Sequence, residues 1–344
     1  MALADGILHA DALSKASKTQ YLEKLGTLTR LLGNKPLQYV VDEPARVFAA
    51  VERKYPSPLT QRAFVAAAKA LFHYNEDLKV SRADQYQQYT EIQNRLSQIV
   101  SDRYMSAEPS ERERVNWVPW PEVMAKEREL AAREYGSDAH LLLAMYCLIE
   151  PLRQDFGALL IVLDRMPPDD APGNFLVVAR DAAWGKLVLN EYKTFKKYGR
   201  YVRDLPADLL AVIRASLLCH PRRYLFVDRA GRPYELANSF TRHSNRVLKK
   251  LFGKSFSVSL MRHSHISDTD FNASTPRDLI EKSKNMAHSI TMQQLYRRKV
   301  DPEAPLVVCK VPASGATVTT APAPQAASAV TYAADGQRYL TFSL

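Results

Sequence analysis

Residues 285–298 read NMAHSITMQQLYRR. The stretch sets Tyr296 eight residues after His288 and follows it at once with Arg297 and Arg298. A tyrosine in such cationic company fits neither a solvated face nor a core. It fits a nucleophile that must meet a polyanion, and the rest of the chain reads as the apparatus that brings a phosphodiester to it.

Bulk composition agrees. A chain of 344 residues is long enough for about two domains, and 46% hydrophobic residues suffice for ordinary cores. The formal charge of +10 favours a polyanionic partner, nucleic acid ahead of an anionic membrane surface. The excess is local: residues 180–262 hold 18 Lys and Arg against 6 Asp and Glu. Cys147, Cys219 and Cys309 form no CxxC pattern, which leaves no disulfide framework and no zinc motif and points to a reducing compartment. The opening MALADGILHADALSK carries Asp5 and Asp11 and lacks a signal layout. The apolar run near 141–149 is too short for a bilayer. The expectation is a soluble intracellular protein with no membrane partner.

Residues 12–106 read as all-helical. Ser17 and Thr19 stand where a helix starts before YLEKLGTLTRLL, Pro44 opens PARVFAAVERKY, Thr60 caps TQRAFVAAAKALFHY, and 84–104 form a longer polar helix. Lys15, Lys18, Arg62 and Lys69 lie near helix starts or along one helical side, where they suit either a phosphate backbone or a solvated face. Residues 107–122, rich in charge and proline, read as a linker whose Trp117 and Trp120 anchor the next domain, 123–310. That domain opens with two helices, the second running through DAHLLLAMYCLIEPLRQDFGALLIVL. Alternation then predicts three antiparallel strands over 174–180, 185–193 and 200–206, after which helices resume. Thr275-Pro276-Arg277-Asp278 marks a helix start. Residues 311–344 are Ala- and Pro-rich and read as a flexible tail. The fold class expected is mainly α with a small antiparallel β-sheet, α+β.

Several residues carry possible chemistry. Arg153 ends the apolar helix and either caps it or reaches into a polar cleft, with Asp155 able to hold it. Arg262 stands beside His263 and shares a helical face with His265, and reads equally as structural or catalytic. Lys193, Lys196 and Lys197 cluster at a hairpin turn, in YKTFKKYGR, like a finger directed at phosphates.

Taken together in order, PLRQD, YKTFKKYGR, MRHSHIS and MAHSITMQQLY resemble the boxes of the tyrosine recombinase (phage integrase) family, in phrasing nearest to recombinases of large eukaryotic DNA viruses and Crypton-like mobile elements. The resemblance covers most of the chain outside the tail. It implies a SAM-like helical core-binding domain over 1–106 and a recombinase catalytic domain over 123–310. It implies Arg153, Lys193, Arg262, His288 and Tyr296 as catalytic residues and a 3′-phosphotyrosine intermediate on Tyr296. Lys15, Lys18, Arg62, Lys69, Lys196, Lys197, Arg297 and Arg298 become DNA-binding residues. The partner implied is double-stranded DNA with specific recombination sites, bound by a tetramer, with no cofactor, metal or ATP; the location would be a host nucleus or cytoplasm. One position departs: the family usually has histidine three residues before the second arginine, where this chain has Ser259, and His265 is the spatial substitute on offer. In the chemistry so implied, the arginines clamp the phosphate oxygens and Lys193 protonates the departing 5′ oxygen. A free phenol titrates at about pH 10, so cationic neighbours or a base must activate it. Two alternatives stand beside this: a catalytically inactive DNA-binding descendant, and a metal-dependent nuclease using Asp164, Asp169 and Asp170.

Overall fold

The computed structural model describes residues 2–181, 183–236 and 238–299. The tail 311–344 and Cys309 lie outside them. The chain divides into two compact units, Met1–Ser106 and a second that begins at Ala107.

Among the described residues the first unit is helical: α1 (Ala2–His9), α2 (Lys15–Leu31), α3 (Leu37–Asp42), α4 (Pro44–Lys54), α5 (Pro58–His73), α6 (Glu76–Ser81) and α7 (Ala83–Met105). The apolar α5 is the centre. Its Phe64, Val65, Leu71 and Phe72 are buried, and its small Ala67, Ala68 and Ala70 let neighbouring helices approach. Inside the bundle the Tyr89 hydroxyl donates to the Val40 carbonyl at 2.6 Å. Two helix starts differ from expectation. Ser14 rather than Ser17 or Thr19 caps α2, accepting from the Ser17 amide at 3.2 Å. At α5 the fixed φ of Pro58 sets the first turn, so Thr60 lies inside the helix.

The second unit contains α8 (Glu111–Asn116), α9 (Trp120–Arg133), α10 (Asp138–Cys147), β1 (Leu159–Leu163), β2 (Asn174–Val178), β3 (Gly185–Leu189), α11 (Phe195–Tyr198), β4 (Tyr201–Asp204), α12 (Ala207–Cys219), α13 (Ser239–Phe252), α14 (Val258–Ser267), α15 (Pro276–Asn285) and α16 (Ile290–Tyr296). The α+β class expected from the sequence is present, and the three predicted strands appear as β2, β3 and β4 in antiparallel order.

Three expectations are corrected. The sheet is mixed rather than antiparallel, because β1 joins β2 in parallel register, Leu159 against Asn174 through Leu163 against Val178. Those β1 residues do not continue the preceding helix: α10 stops at Cys147, and Pro151 cannot extend it. Arg153 therefore lies in the loop after α10 and does not cap that helix. The 107–122 segment is no bare linker. Ser110 and Glu113 form a capping box that starts α8. Trp117 and Val118 are buried, and the Trp117 and Val118 carbonyls accept from Lys254 and Ser264 at 2.9 and 2.7 Å.

Between α9 and α10 the chain turns at Gly136 with φ +74°, where a Cβ would stand 2.9 Å from the Ala215 Cβ and 3.0 Å from the Ser216 backbone nitrogen. Left-handed backbone and close packing both require glycine there. Gly136→Ala is expected to cost at least about 2 kcal/mol. All three tryptophans, Trp117, Trp120 and Trp184, belong to the second unit. Their fluorescence in a urea titration reports that unit alone, and an unchanged midpoint would refute the prediction.

Candidate active site

The site is built around the turn from α15 to α16. The His288 amide donates to the Ser283 carbonyl at 3.1 Å and the Ala287 amide to the Lys284 carbonyl at 2.8 Å. That pair of bonds is a Schellman termination. Ala287 occupies its left-handed position with φ 51°, a conformation that costs an alanine roughly 1–2 kcal/mol relative to the right-handed one. Immediately afterwards Ser289 caps α16, accepting from the Met292 amide at 3.3 Å. His288 is thus fixed between one helix end and the next helix start.

Distant segments hold this turn in place. Arg153 Nη1 and the Thr194 hydroxyl both donate to the Ala287 carbonyl at 3.0 Å. The Tyr201 hydroxyl of β4 donates to the Asn285 carbonyl at 2.9 Å, and the Asn285 side chain donates to Glu150, which also pairs with Arg203. Arg153 spends its bond on this carbonyl rather than on Asp155, so the expected Arg153–Asp155 pair is absent among the described residues. Burial pushes the Asp155 carboxyl up, although the charges of Arg153 and Arg262 pull it down.

Arg262, on α14, is 1% exposed. Its Nη2 donates to His288 Nδ1 at 3.1 Å and to the Met286 carbonyl at 3.4 Å. A guanidinium has only donors, so His288 Nδ1 accepts and the ring proton lies on Nε2. That Nε2 is buried without a partner, as are Arg262 Nε and Nη1. Burial lowers the Arg262 pKa to about 10, still far above neutrality, so the group stays cationic. The result is a buried, positively charged cluster in which three donor nitrogens have no partner among the described residues.

Tyr296 packs against this cluster. Its ring centroid is 5.3 Å from the Arg262 guanidinium carbon, and its ring meets His288 edge-on at 5.6 Å. His263 stacks on it at 4.4 Å, and His263 Nδ1 donates to the Tyr296 carbonyl at 2.6 Å.

Of the residues expected to be catalytic, the structure gathers Arg153, Arg262, His288 and Tyr296. Lys193 is exposed in the β3–β4 connection, one residue before the anchored Thr194. His265 does not reach Tyr296; it lies edge-on to Trp120 at 4.7 Å. Ser259 is exposed. Arg298 cannot face a DNA backbone as expected, because its side chain is 1% exposed and paired with Glu113 at 3.1 Å. Arg297 is exposed and stands over the Phe271 ring at 5.2 Å. Lys196 and Lys197 are exposed on α11. In the first unit Lys15 is exposed, Lys18 donates to the Leu8 carbonyl at 2.7 Å, Arg62 is half-buried, and Lys69 lies over the Tyr86 ring at 5.1 Å. The carboxylates of the metal-dependent alternative are tied up separately, Asp164 with Arg180 and Asp169 with Arg200. Among the described residues no three His, Cys, Asp or Glu gather as metal ligands would, and no helix is long and apolar enough to cross a membrane.

Sequence reasoning missed His263, Thr194 and Glu113. Helical spacing had favoured His265 as the partner of Arg262. Only the Ser110-to-Glu113 capping pattern was visible for Glu113.

No protein-family model matches the chain, and no curated protein matches it. Among solved structures it is similar to the crystal structure of XerA recombinase. Identity is 14% and the TM-score 0.37, over 87% of this chain and 94% of that one.

The three histidines carry a pH dependence. Burial, followed by the charge of Arg298, takes His263 to about 4. Burial takes His265 to about 4 as well, with Lys282 and Arg262 adding to it and Glu150 opposing. Burial, then Arg262 and Arg153, takes His288 to about 3. The unfolded chain binds these protons near pH 6.5 and the folded chain only well below it. The unfolded state therefore holds more protons through this window, and stability falls as pH falls from about 6.5 towards 4. Tryptophan-monitored urea midpoints should drop over that range. His265→Gln should reduce the slope by up to about 1.4 kcal/mol per pH unit; a flat profile in the wild-type protein would count against the burial of these rings.

Proposed function

We propose that this protein breaks and rejoins DNA by transesterification in the manner of a tyrosine recombinase, with Tyr296 as nucleophile. One observation carries the reading: the Tyr296 ring lies against the buried Arg262 guanidinium of its own chain, beside three unused donors on Arg262 and His288. A phosphate diester is the ligand that such a cradle fits, since it brings negative charge and acceptors to donors that have no partner among the described residues.

In this mechanism the half-buried Tyr296 phenol gives up its proton to solvent as its oxygen forms a bond to phosphorus, and the bond from phosphorus to the 5′ oxygen breaks. The strand leaves with a 5′ hydroxyl, protonated by Lys193, and the 3′ phosphate stays on the protein as an ester. Arg262 Nε and Nη1 and His288 Nε2–H bind the non-bridging oxygens, where charge builds in the transition state. Arg153 adds its charge and holds the His288 turn. Attack by another 5′ hydroxyl reverses the step, and the ester conserves the bond energy, so no nucleotide triphosphate is consumed. The exposed Lys196, Lys197 and Arg297 would track the DNA backbone beside the site, and the first unit would clamp the duplex with Lys15, Lys18, Arg62 and Lys69. Action at specific sites by a tetramer belongs to the same reading, as does a mobile or viral element as its source.

A second reading, a DNA-binding descendant without catalysis, draws on Ser259. It stands where the family has histidine and offers no base for the phenol proton. One assay separates the two. Incubated with a nicked suicide duplex, the full-length protein should form a covalent adduct visible on a denaturing gel. Tyr296→Phe should abolish it, and Arg262→Lys should slow its formation by at least about 100-fold, because one ammonium cannot replace a forked donor. Duplex binding without any adduct would favour the second reading, and an adduct that survives Tyr296→Phe would identify another nucleophile.

A further inference from the structure

The residues that follow Tyr296 are held by the segment that opens the second unit. Glu113 is the third residue of the α8 capping box, and its Oε2 accepts from the Ser110 amide at 2.6 Å. Its Oε1 accepts from Arg298 Nε at 3.3 Å and from Arg298 Nη2 at 3.1 Å. The remaining Arg298 nitrogen, Nη1, donates to the Leu295 carbonyl at 2.9 Å and the Arg297 carbonyl at 2.8 Å. These are the two carbonyls that flank Tyr296. The carbonyl of Tyr296 itself is taken by His263, whose Nε2 stands 3.9 Å from Glu113 Oε1. The Arg298 amide donates to the Ser267 hydroxyl at 2.8 Å, and the Lys299 amide donates to the Ala107 carbonyl at 2.8 Å.

This arrangement answers a mechanical need. α16 has seven residues, too few to persist on local hydrogen bonds alone. Its start is fixed by Ser289 and the turn, whereas its end carries the reactive side chain. A cationic group among the last carbonyls of a helix is favourable, but a buried guanidinium in that position needs a counter-charge. Glu113 supplies it. Burial alone would raise the Glu113 carboxyl, yet its bonds to Ser110 and the charge of Arg298 keep it below the usual carboxylate range.

We propose that Glu113 is a positioning residue for Tyr296: through Arg298 it pins the last turn of α16 and so keeps the phenol against Arg262. The inference rests on the function proposed above for its catalytic readout and on geometry alone for its structural one.

The test uses the full-length protein and both readouts. In single-turnover cleavage of the suicide duplex at saturating DNA, Glu113→Ala should lower the rate about 10- to 100-fold, the loss expected when a reacting group drifts by about an ångström. Its Kd for the duplex should stay within about twofold of the wild-type value. Glu113→Gln, which keeps an acceptor for Arg298, should recover part of that rate. Arg298→Ala should match Glu113→Ala, and the double variant should be no slower than either single one. Amides 290–298 should exchange with deuterium faster in Glu113→Ala, while those of α9 and α10 keep their wild-type protection. Wild-type cleavage by Glu113→Ala, multiplied losses in the double variant, or unchanged exchange in α16 would each overturn the inference. If the wild-type protein forms no adduct, the proposed function fails, and the exchange measurement alone decides whether the latch exists.

Discussion

One backbone carbonyl organises the second unit's polar centre. The Ala287 oxygen accepts from Arg153, which follows α10, and from Thr194, which lies between β3 and β4. It sits in a turn whose left-handed residue is an alanine where glycine would be more comfortable. Strain of this kind survives only where surrounding contacts over-determine the backbone. Here they do: helix termination on one side, helix capping on the other, and β4 bonded to Asn285 from below. Of the groups that touch Tyr296, His288 takes its position from this turn.

The same turn settles the protonation of His288. Because Arg262 donates to Nδ1, the imidazole stays neutral and shows its N–H to the pocket. Burial, and then the neighbouring cations Arg262 and Arg153, disfavour a second ring proton there. A neutral donor beside a fixed cation is a suitable pair for an oxyanion. It adds a hydrogen bond without adding repulsion between the groups that must stay close together.

The legible parts of the sequence were those with local causes. Thr275-Pro276 announced α15 because a hydroxyl cap and a fixed φ act within one turn. Strands β2 to β4 were readable from alternation. The β1 strand was not, since a short apolar run reads alike as buried helix or buried strand, and only Pro151 argued for a break. The 107–122 segment looked like a connector because its charges appeared solvated. Glu113 is instead half-buried against Arg298, which lies at the far end of the described chain. Helical spacing favoured His265 over His263, and the structure reverses the order. The choice depends on where α16 returns, and that is a tertiary fact. Arg298 was misassigned for the same reason: its partner is distant in sequence.

The empty donors of Arg262 and His288 have a consequence for the folded state as a whole. An unfolded chain presents the same groups to water, whereas in the native unit three of these nitrogens are buried without a partner among the described residues. Any anion that reaches the pocket therefore relieves only the native form. Occupancy and cohesion become two aspects of one equilibrium, and the loaded protein is the firmer one.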